Sequence, residues 1–416
     1  MNPIRASRAV AATLFFVATA LGGSLFFAPE RNLLFVGPWG VGVGLTFDVL
    51  STVLLAFVAS VVWIVTTYAI RNFTGQQRTN RFGYLMLAAT AALTLLVAGA
   101  SLPMVAVGWT ASGLALAALV NHTNSPSARV ASRLVRRRLL VSDVFIWSGV
   151  VAAMLVLPST NRSELASQPL SLVAATGVAA LLAGAAIARS GLVPLHSWLP
   201  ETAEAPSPVS AFLHAGIVNG AGIIGALAWP IFRASPITLA ALIVIGAMTV
   251  AIGTWSARVR ADVKGQLASS TTAQMGYMTV QLGLGLPAAA IAHLIGHGYY
   301  KAWLFLRAGG AVSRSRLRSG SSPASKLRGR SVAPYLGGLA ALVGSVLMAP
   351  ALRESVSELG LTAALPGLLA LATVAVAVTA ATRVAGIRAT TAALVTVIGG
   401  LAAGAYQWAL FGWESL

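Results

Sequence analysis

The sequence predicts an all-α polytopic membrane bundle of about thirteen transmembrane helices, forming a single domain over residues 1–416. Three observations predict it. Hydrophobic residues make up 57% of the chain and charged residues 9%, against roughly 25% charged in soluble domains; mean hydropathy is +0.82. Apolar stretches near the ~20 residues that cross a bilayer recur from end to end. The basic residues gather in alternate connections between those stretches.

Taken in order, the spans fall near 9–28, 45–70, 82–100, 102–121, 138–158, 170–190, 208–230, 237–256, 265–285, 288–309, 333–351, 361–381 and 389–411. The first follows Arg5 and Arg8, and Ala18-Thr19-Ala20 resembles a signal-peptide cleavage site. Its apolar run is too long for a signal core, so it counts as a helix. Asp48 opens the second span and is placed to cap its first turn. Asp143, at the start of the fifth, can cap that helix or act as a counter-ion, since few other acids lie near the membrane on the cytoplasmic side. The stretch Gly191–Pro208 holds Pro194, Pro200, Pro206 and Pro208, which cannot share one continuous helix. A broken helix is therefore expected near 189–208. The longest polar stretch, 313–330, is rich in Ser, Gly and Arg and reads as a flexible cytoplasmic basic loop beside anionic headgroups, or as a docking segment.

With the N-terminus cytoplasmic, inside connections hold about 22 of the 28 Lys and Arg residues, against four outside (Arg31, Arg162, Arg233, Arg353) and two within the membrane (Arg189, Lys301). That bias orients the chain, N-terminus in and C-terminus out, in a bacterial inner membrane. The formal charge of +18 thus belongs to membrane topology and not to a nucleic-acid face. Cysteine is absent, which excludes disulfides and Cys-ligated zinc. No catalytic triad motif, zinc-ligand cluster or phosphate-binding glycine loop is present, so neither an enzyme nor a cofactor is expected.

Ionisable side chains inside a bilayer are costly and mark ion paths. Here they are Arg189, His196, His214, His293, His297 and Lys301. His293, His297 and Lys301 are four apart, so each step drifts about 40° and rises about 6 Å, giving one stripe on one helix. Histidine titrates near neutrality, and a desolvated lysine can join it. His214 lies early in the helix opened by Pro208. His196 sits on the short piece between Pro194 and Pro200, where packing and relay roles are both open. Arg189 either lies beside the helix break among polar groups or snorkels to the headgroups.

At these residues the chain resembles the proton-pumping antiporter-like subunits of respiratory complex I and Mrp antiporters. The resemblance rests on Pro194 through Glu201, Pro206-Ser207-Pro208-Val209-Ser210-Ala211, His214, Ser270 through Tyr277, and His293 through Lys301, spanning about 189–310. Three further segments look like the membrane subunit of the DAB complex, which accumulates dissolved inorganic carbon: His214 through Gly222, Tyr299 through Trp303, and Trp109 through Leu116 with the basic run Arg133 to Arg138. That resemblance implies a large zinc-bearing, carbonic-anhydrase-like partner, and ion flow that drives hydration of CO2 to bicarbonate there.

Two departures bear on mechanism. Respiratory members have Trp-Glu where this chain has Trp109-Thr110, and their broken-helix lysine aligns with Arg189. Neutralising an arginine near pH 7 costs roughly 7–9 kcal/mol, so Arg189 serves as a fixed charge, with Asp143 a candidate partner. The expected path enters from outside near the last helices, uses Lys301, His297 and His293, passes His214 and leaves near Arg189. Pro350 through Glu354 matches the family's exit segment weakly. The alternatives are a subunit of a complex I-like or Mrp-type cation/proton antiporter, with H+ or Na+ as coupling ion, and a non-conducting membrane anchor.

Overall fold

The computed structural model describes residues 2–24, 31–36, 42–73 and 79–309. The spans expected at 333–351, 361–381 and 389–411, the loop 313–330 and the segment at Pro350 lie outside the described residues. Contacts divide the chain into two units, Met1–Ile291 with Lys301–Ser313, and Ala292–Tyr300 with Arg314–Leu416.

Helices α1 (Pro3–Ser24), α2 (Val49–Asn72), α3 (Thr79–Ala98), α4 (Leu102–Val120), α5 (Pro126–Val156) and α6 (Leu172–Ser190) come first. After two 3-10 turns, His196–Trp198 and Pro200–Glu204, the chain continues as α7 (Ser207–Ala215), α8 (Gly220–Leu227), α9 (Trp229–Arg233), α10 (Pro236–Val259), α11 (Val263–Gly283) and α12 (Pro287–Gly309).

Among the described residues, eight helical segments are long and apolar enough to cross a membrane, not the ten expected over this stretch. Helices form at all ten places, but α11 and α12 are too polar to qualify. The cause is visible on α11, which turns Ser269, Thr271, Thr272, Thr279 and Gln281 into the protein. Side chains that hydrogen-bond inside the bundle lower a helix's hydropathy without exposing it to lipid.

The bundle is all-α as expected, with one short hairpin added in a connection. Between α1 and α2 the strands β1 (Arg31–Val36) and β2 (Gly42–Phe47) pair antiparallel, Arg31 opposite Phe47 and Val36 opposite Gly42. The outer edge of β2 is covered: Ala100 N–H donates to the Gly44 carbonyl at 3.0 Å, and Gly42 N–H donates to Asn161 Oδ1 at 2.8 Å. Asn161 is held in turn by Glu164, whose Oε1 accepts from its amide at 3.1 Å. Hydrogen bonds from Ser159 and then Asn161 hold the Glu164 carboxyl below the usual carboxylate range, so it stays an acceptor. Asp48 caps α2 as expected, accepting from Ser51 N–H at 2.6 Å. Its second oxygen pairs with Arg162 at 3.0 Å, and Arg162 also donates to Ser51 Oγ at 3.0 Å and the Gly99 carbonyl at 3.2 Å. One end of the bundle is therefore tied by hydrogen bonds that link three connections distant in sequence, α1–α2, α3–α4 and α5–α6.

Two expected boundaries are corrected. The fifth helix begins at Pro126 and not near 138, because Ser125 caps it through Ala128 N–H at 3.1 Å and Pro126 suits the first turn. Asp143 consequently sits mid-helix, where no free N–H needs a cap. The helix expected over 208–230 is itself interrupted: a 3-10 turn at Ile217–Asn219 separates α7 from α8, and the whole Ser207–Leu227 span is buried. Around it α10 and α11 pack closely, since a Cβ on Gly246 would come within 2.7 Å of the Gly276 carbonyl, and one on Gly253 within 2.5 Å of Ala273 N. Small residues there let the backbones touch.

Candidate functional site: two buried cations beside a broken helix

Arg189 ends α6 one residue before Ser190, and Gly191 takes the left-handed conformation (φ 62°) that stops the helix. The guanidinium turns inward and is 0% exposed, so it does not snorkel. It donates to the Trp109 carbonyl at 2.8 Å, to Ser112 Oγ and, through Nε, to the Ile217 carbonyl at 3.3 Å. It also lies 4.4 Å from the centroid of the Trp109 ring, a cation–π contact that gains strength when water is excluded. Trp109 is fixed by its Nε1, which donates to Ser142 Oγ at 2.9 Å. Gly220 must lack a side chain, because a Cβ there would stand 2.8 Å from Trp109 Cη2 and 2.9 Å from Arg189 Cδ.

No carboxylate touches this cation: the ion pairs among the described residues do not include Arg189. Asp143, on the neighbouring α5, acts on it electrostatically from further away. Its Oδ1 accepts from Thr110 Oγ1 at 3.2 Å, and Thr110 accepts from Trp147 Nε1 at 3.1 Å. So Thr110, the position at which the sequence departs from the resembled Trp-Glu pair, presents its hydroxyl to an aspartate on the next helix.

The second cation is Lys301 on α12, 1% exposed. Its Nζ donates to the Leu267 carbonyl at 2.9 Å and to Ser270 Oγ, both on α11. One turn further along α12, Phe305 stacks face to face on His214 with centroids 4.3 Å apart and planes 6° from parallel. His214, in the last turn of α7, is 0% exposed, and neither ring nitrogen has a hydrogen-bond partner among the described residues. The charges acting most strongly on it are Lys301 and then Lys264.

The broken helix joins the two centres. His214 faces the Lys301 side, and three residues later Ile217 gives its carbonyl to Arg189. Carbonyls freed by a helix interruption are tolerated at membrane depth only where something satisfies them; here Arg189 does so. The prolines had pointed to the break at 189–208, and between α6 and α7 the chain makes only two short 3-10 turns, but the interruption inside a fully buried span is the one at Ile217–Asn219. Its signal was the flanking pair Gly216 and Gly220 around Asn219.

In the second unit, the rings of His293 and His297 lie edge to face with centroids 6.1 Å apart. His196 is half-buried on the His196–Trp198 turn, and its Nδ1 has no partner among the described residues. The structure assigns it no contact with Arg189, His214 or Lys301. Sequence reasoning did not identify Ser112, Ser270, Phe305 or the Ile217 carbonyl as partners of the buried charges; neutral side chains and backbone carry no periodic signal.

Residues 99–329 match the family model described as NADH:quinone oxidoreductase/Mrp antiporter, TM. A probable inorganic carbon transporter subunit, DabB1 of Halothiobacillus neapolitanus, is 35% identical over 294 residues, 68% of this chain and 52% of that protein. NADH-ubiquinone oxidoreductase chain 5 of Cryptococcus neoformans is 32% identical over 276 residues, 65% of this chain and 41% of its own. The chain thus spans about half the length of these curated relatives or less. In structure it is similar to a chain of the Mrp complex from Dietzia sp., with a TM-score of 0.67, 20% identity, and coverage of 98% of this chain and 74% of that one.

Proposed function

Because the chain belongs to the NADH:quinone oxidoreductase/Mrp antiporter family of membrane subunits, we propose that it carries a proton or sodium ion across a bacterial inner membrane as part of a larger energy-coupling complex. Family membership makes this a transport role and not a catalytic one. The observation that carries the reading is the pair of fully buried cations, Arg189 bonded to the Ile217 carbonyl of an interrupted helix and Lys301 on the helix whose Phe305 stacks on His214 of the same interrupted helix. A buried charge lowers stability unless it is richly bonded; two of them linked through α7 and α8 are explained by ion movement.

In this mechanism Lys301 exchanges the ion, with Ser270 and the Leu267 carbonyl as its resting partners. His214 receives a proton through water that reaches its open nitrogens around the edge of Phe305. His297 and His293, four and eight residues before Lys301 in the sequence, are further candidate relay groups. Arg189 stays charged and sets the field, and Asp143, oriented by Thr110, is its distant counter-charge. Movement at the Ile217–Asn219 turn biases both centres at once, which supplies the two-state element that coupling requires. One charge crossing about 100 mV releases about 2.3 kcal/mol, enough to concentrate a solute more than tenfold at about 1.4 kcal/mol per decade.

The test is ion uptake by the purified complex in liposomes under an imposed potential, read with a pH-sensitive dye and with sodium in parallel. Wild type is expected to conduct and His214→Phe to lose conduction; equal uptake by both removes the relay. Asp143→Asn is expected to slow uptake while assembly persists.

A second, finer reading is favoured by the 35% identity to an inorganic carbon transporter subunit. There the ion flow drives CO2 hydration on a large zinc-bearing, carbonic-anhydrase-like partner. It predicts that the chain with its partner restores growth at ambient CO2 to a host lacking carbonic anhydrase. Failure to rescue, with ion uptake intact, leaves the antiporter reading and removes this one.

A further inference from the structure

The face of α5 that its neighbours leave uncovered changes chemistry along its length. Arg129, Arg133, Arg136 and Arg137 are exposed, and none has an ion-pair partner among the described residues. Past them the same helix exposes Leu140, Val144, Trp147, Val151 and Leu155, the last 80% accessible. At 100° per residue these nine side chains fall within an arc of about 100°, so they form one stripe. Its basic part is about 12 Å long and its apolar part about 22 Å, from a rise of about 1.5 Å per residue.

Any lipid-facing helix shows an apolar stripe. Four guanidinium groups on that face, with no carboxylate paired to them among the described residues, are a different matter, because like charges one turn apart oppose the helix they sit on. The 31 residues of α5 give a helix of about 46 Å, longer than the roughly 30 Å hydrocarbon core, so the basic end reaches the headgroup zone and passes beyond it. The distribution of Lys and Arg places that end on the cytoplasmic side, where the leaflet is anionic.

We propose that this stripe is a binding site for an anionic glycerophospholipid, its phosphate held by Arg133, Arg136 and Arg137 and its acyl chains lying along Leu140 to Leu155. Guanidinium groups match phosphate oxygens two at a time. An acidic protein partner would satisfy the arginines alone; the continuous passage from guanidinium to apolar surface on one face matches a molecule with both chemistries in the same order. The site is independent of whether the chain conducts ions.

The experiment is native mass spectrometry of the purified complex after incorporation in nanodiscs of phosphatidylglycerol or phosphatidylcholine. Wild type is expected to retain phosphatidylglycerol preferentially, and 0.5 M salt to weaken retention. Each arginine near an anionic surface is worth about fivefold, so Arg133→Gln/Arg136→Gln/Arg137→Gln should lower retention by about a hundredfold, while the corresponding lysine triple variant keeps most of it. Equal retention of the two lipids by wild type overturns the proposal even if the glutamine variant fails to fold. So does a glutamine variant that keeps its lipid and instead loses a copurifying protein.

Discussion

Replacing Lys301 by methionine separates function from stability. The ammonium makes two charge-assisted hydrogen bonds, to the Leu267 carbonyl and Ser270 Oγ, each worth about 1.5–3 kcal/mol. Their loss orphans nothing: Leu267 still accepts from Ser270 Oγ at 3.0 Å and from Thr271 Oγ1 at 2.9 Å. Against the lost bonds stands the cost of keeping an ammonium in a site 1% exposed, several kcal/mol in a protein interior. Methionine is similar in length and fills the space without strain. The two effects nearly cancel, so Lys301→Met should unfold within about 2 kcal/mol of wild type. Ion uptake in liposomes should meanwhile fall at least a hundredfold. The assay pairs that uptake with thermal unfolding of the same preparation. Uptake within a few-fold of wild type would refute the role of Lys301, and a collapse of the fold would refute the balance of energies.

At the other cation, Arg189→Lys should keep the charge but lose the link to Ile217 and the stacking on Trp109, lowering stability by about 2–4 kcal/mol while retaining more uptake than the neutral Arg189→Leu; identical uptake by the two would show that charge there is irrelevant. Gly220→Ala should cost about 1–3 kcal/mol by overpacking, because its Cβ meets Trp109 Cη2 at 2.8 Å and Arg189 Cδ at 2.9 Å; an unchanged melting temperature would count against the tight junction. At the tied end of the bundle, Asp48→Asn keeps the cap and removes the carboxylate charge that pairs with Arg162, which is 4% exposed against 29% for Asp48. A loss of about 2–3 kcal/mol is expected after allowing for that exposure, read as a lower denaturation midpoint.

Most of the fold was legible in the sequence, because hydrophobic length and the distribution of basic residues act locally. Helices form at every one of the ten places expected among the described residues, and Asp48 caps its helix as its position implied. What the sequence misjudged has a common cause. Helices α11 and α12 are too polar to be spans by composition since their polar groups bond to one another or to neighbours inside the bundle. The β1–β2 hairpin is short, and its edge is held by Asn161, 119 residues from Gly42. No local pattern announces such a partner.

The candidate site divides in the same way. Its ionisable members, Arg189, His214 and Lys301, are conspicuous in the sequence, as are His293 and His297 of the second unit, because ionisable groups in apolar sequence are rare. Composition alone therefore determined that this is a polytopic membrane protein with charges kept inside it at a cost. Only the tertiary structure decided which groups meet: that Arg189 rests on Trp109, Ser112 and a freed carbonyl instead of a carboxylate, that Asp143 answers to Thr110, and that Phe305 covers His214. Those choices depend on how helices rotate and break against one another, and rotation is fixed by packing between segments far apart in the chain, which no window of sequence contains.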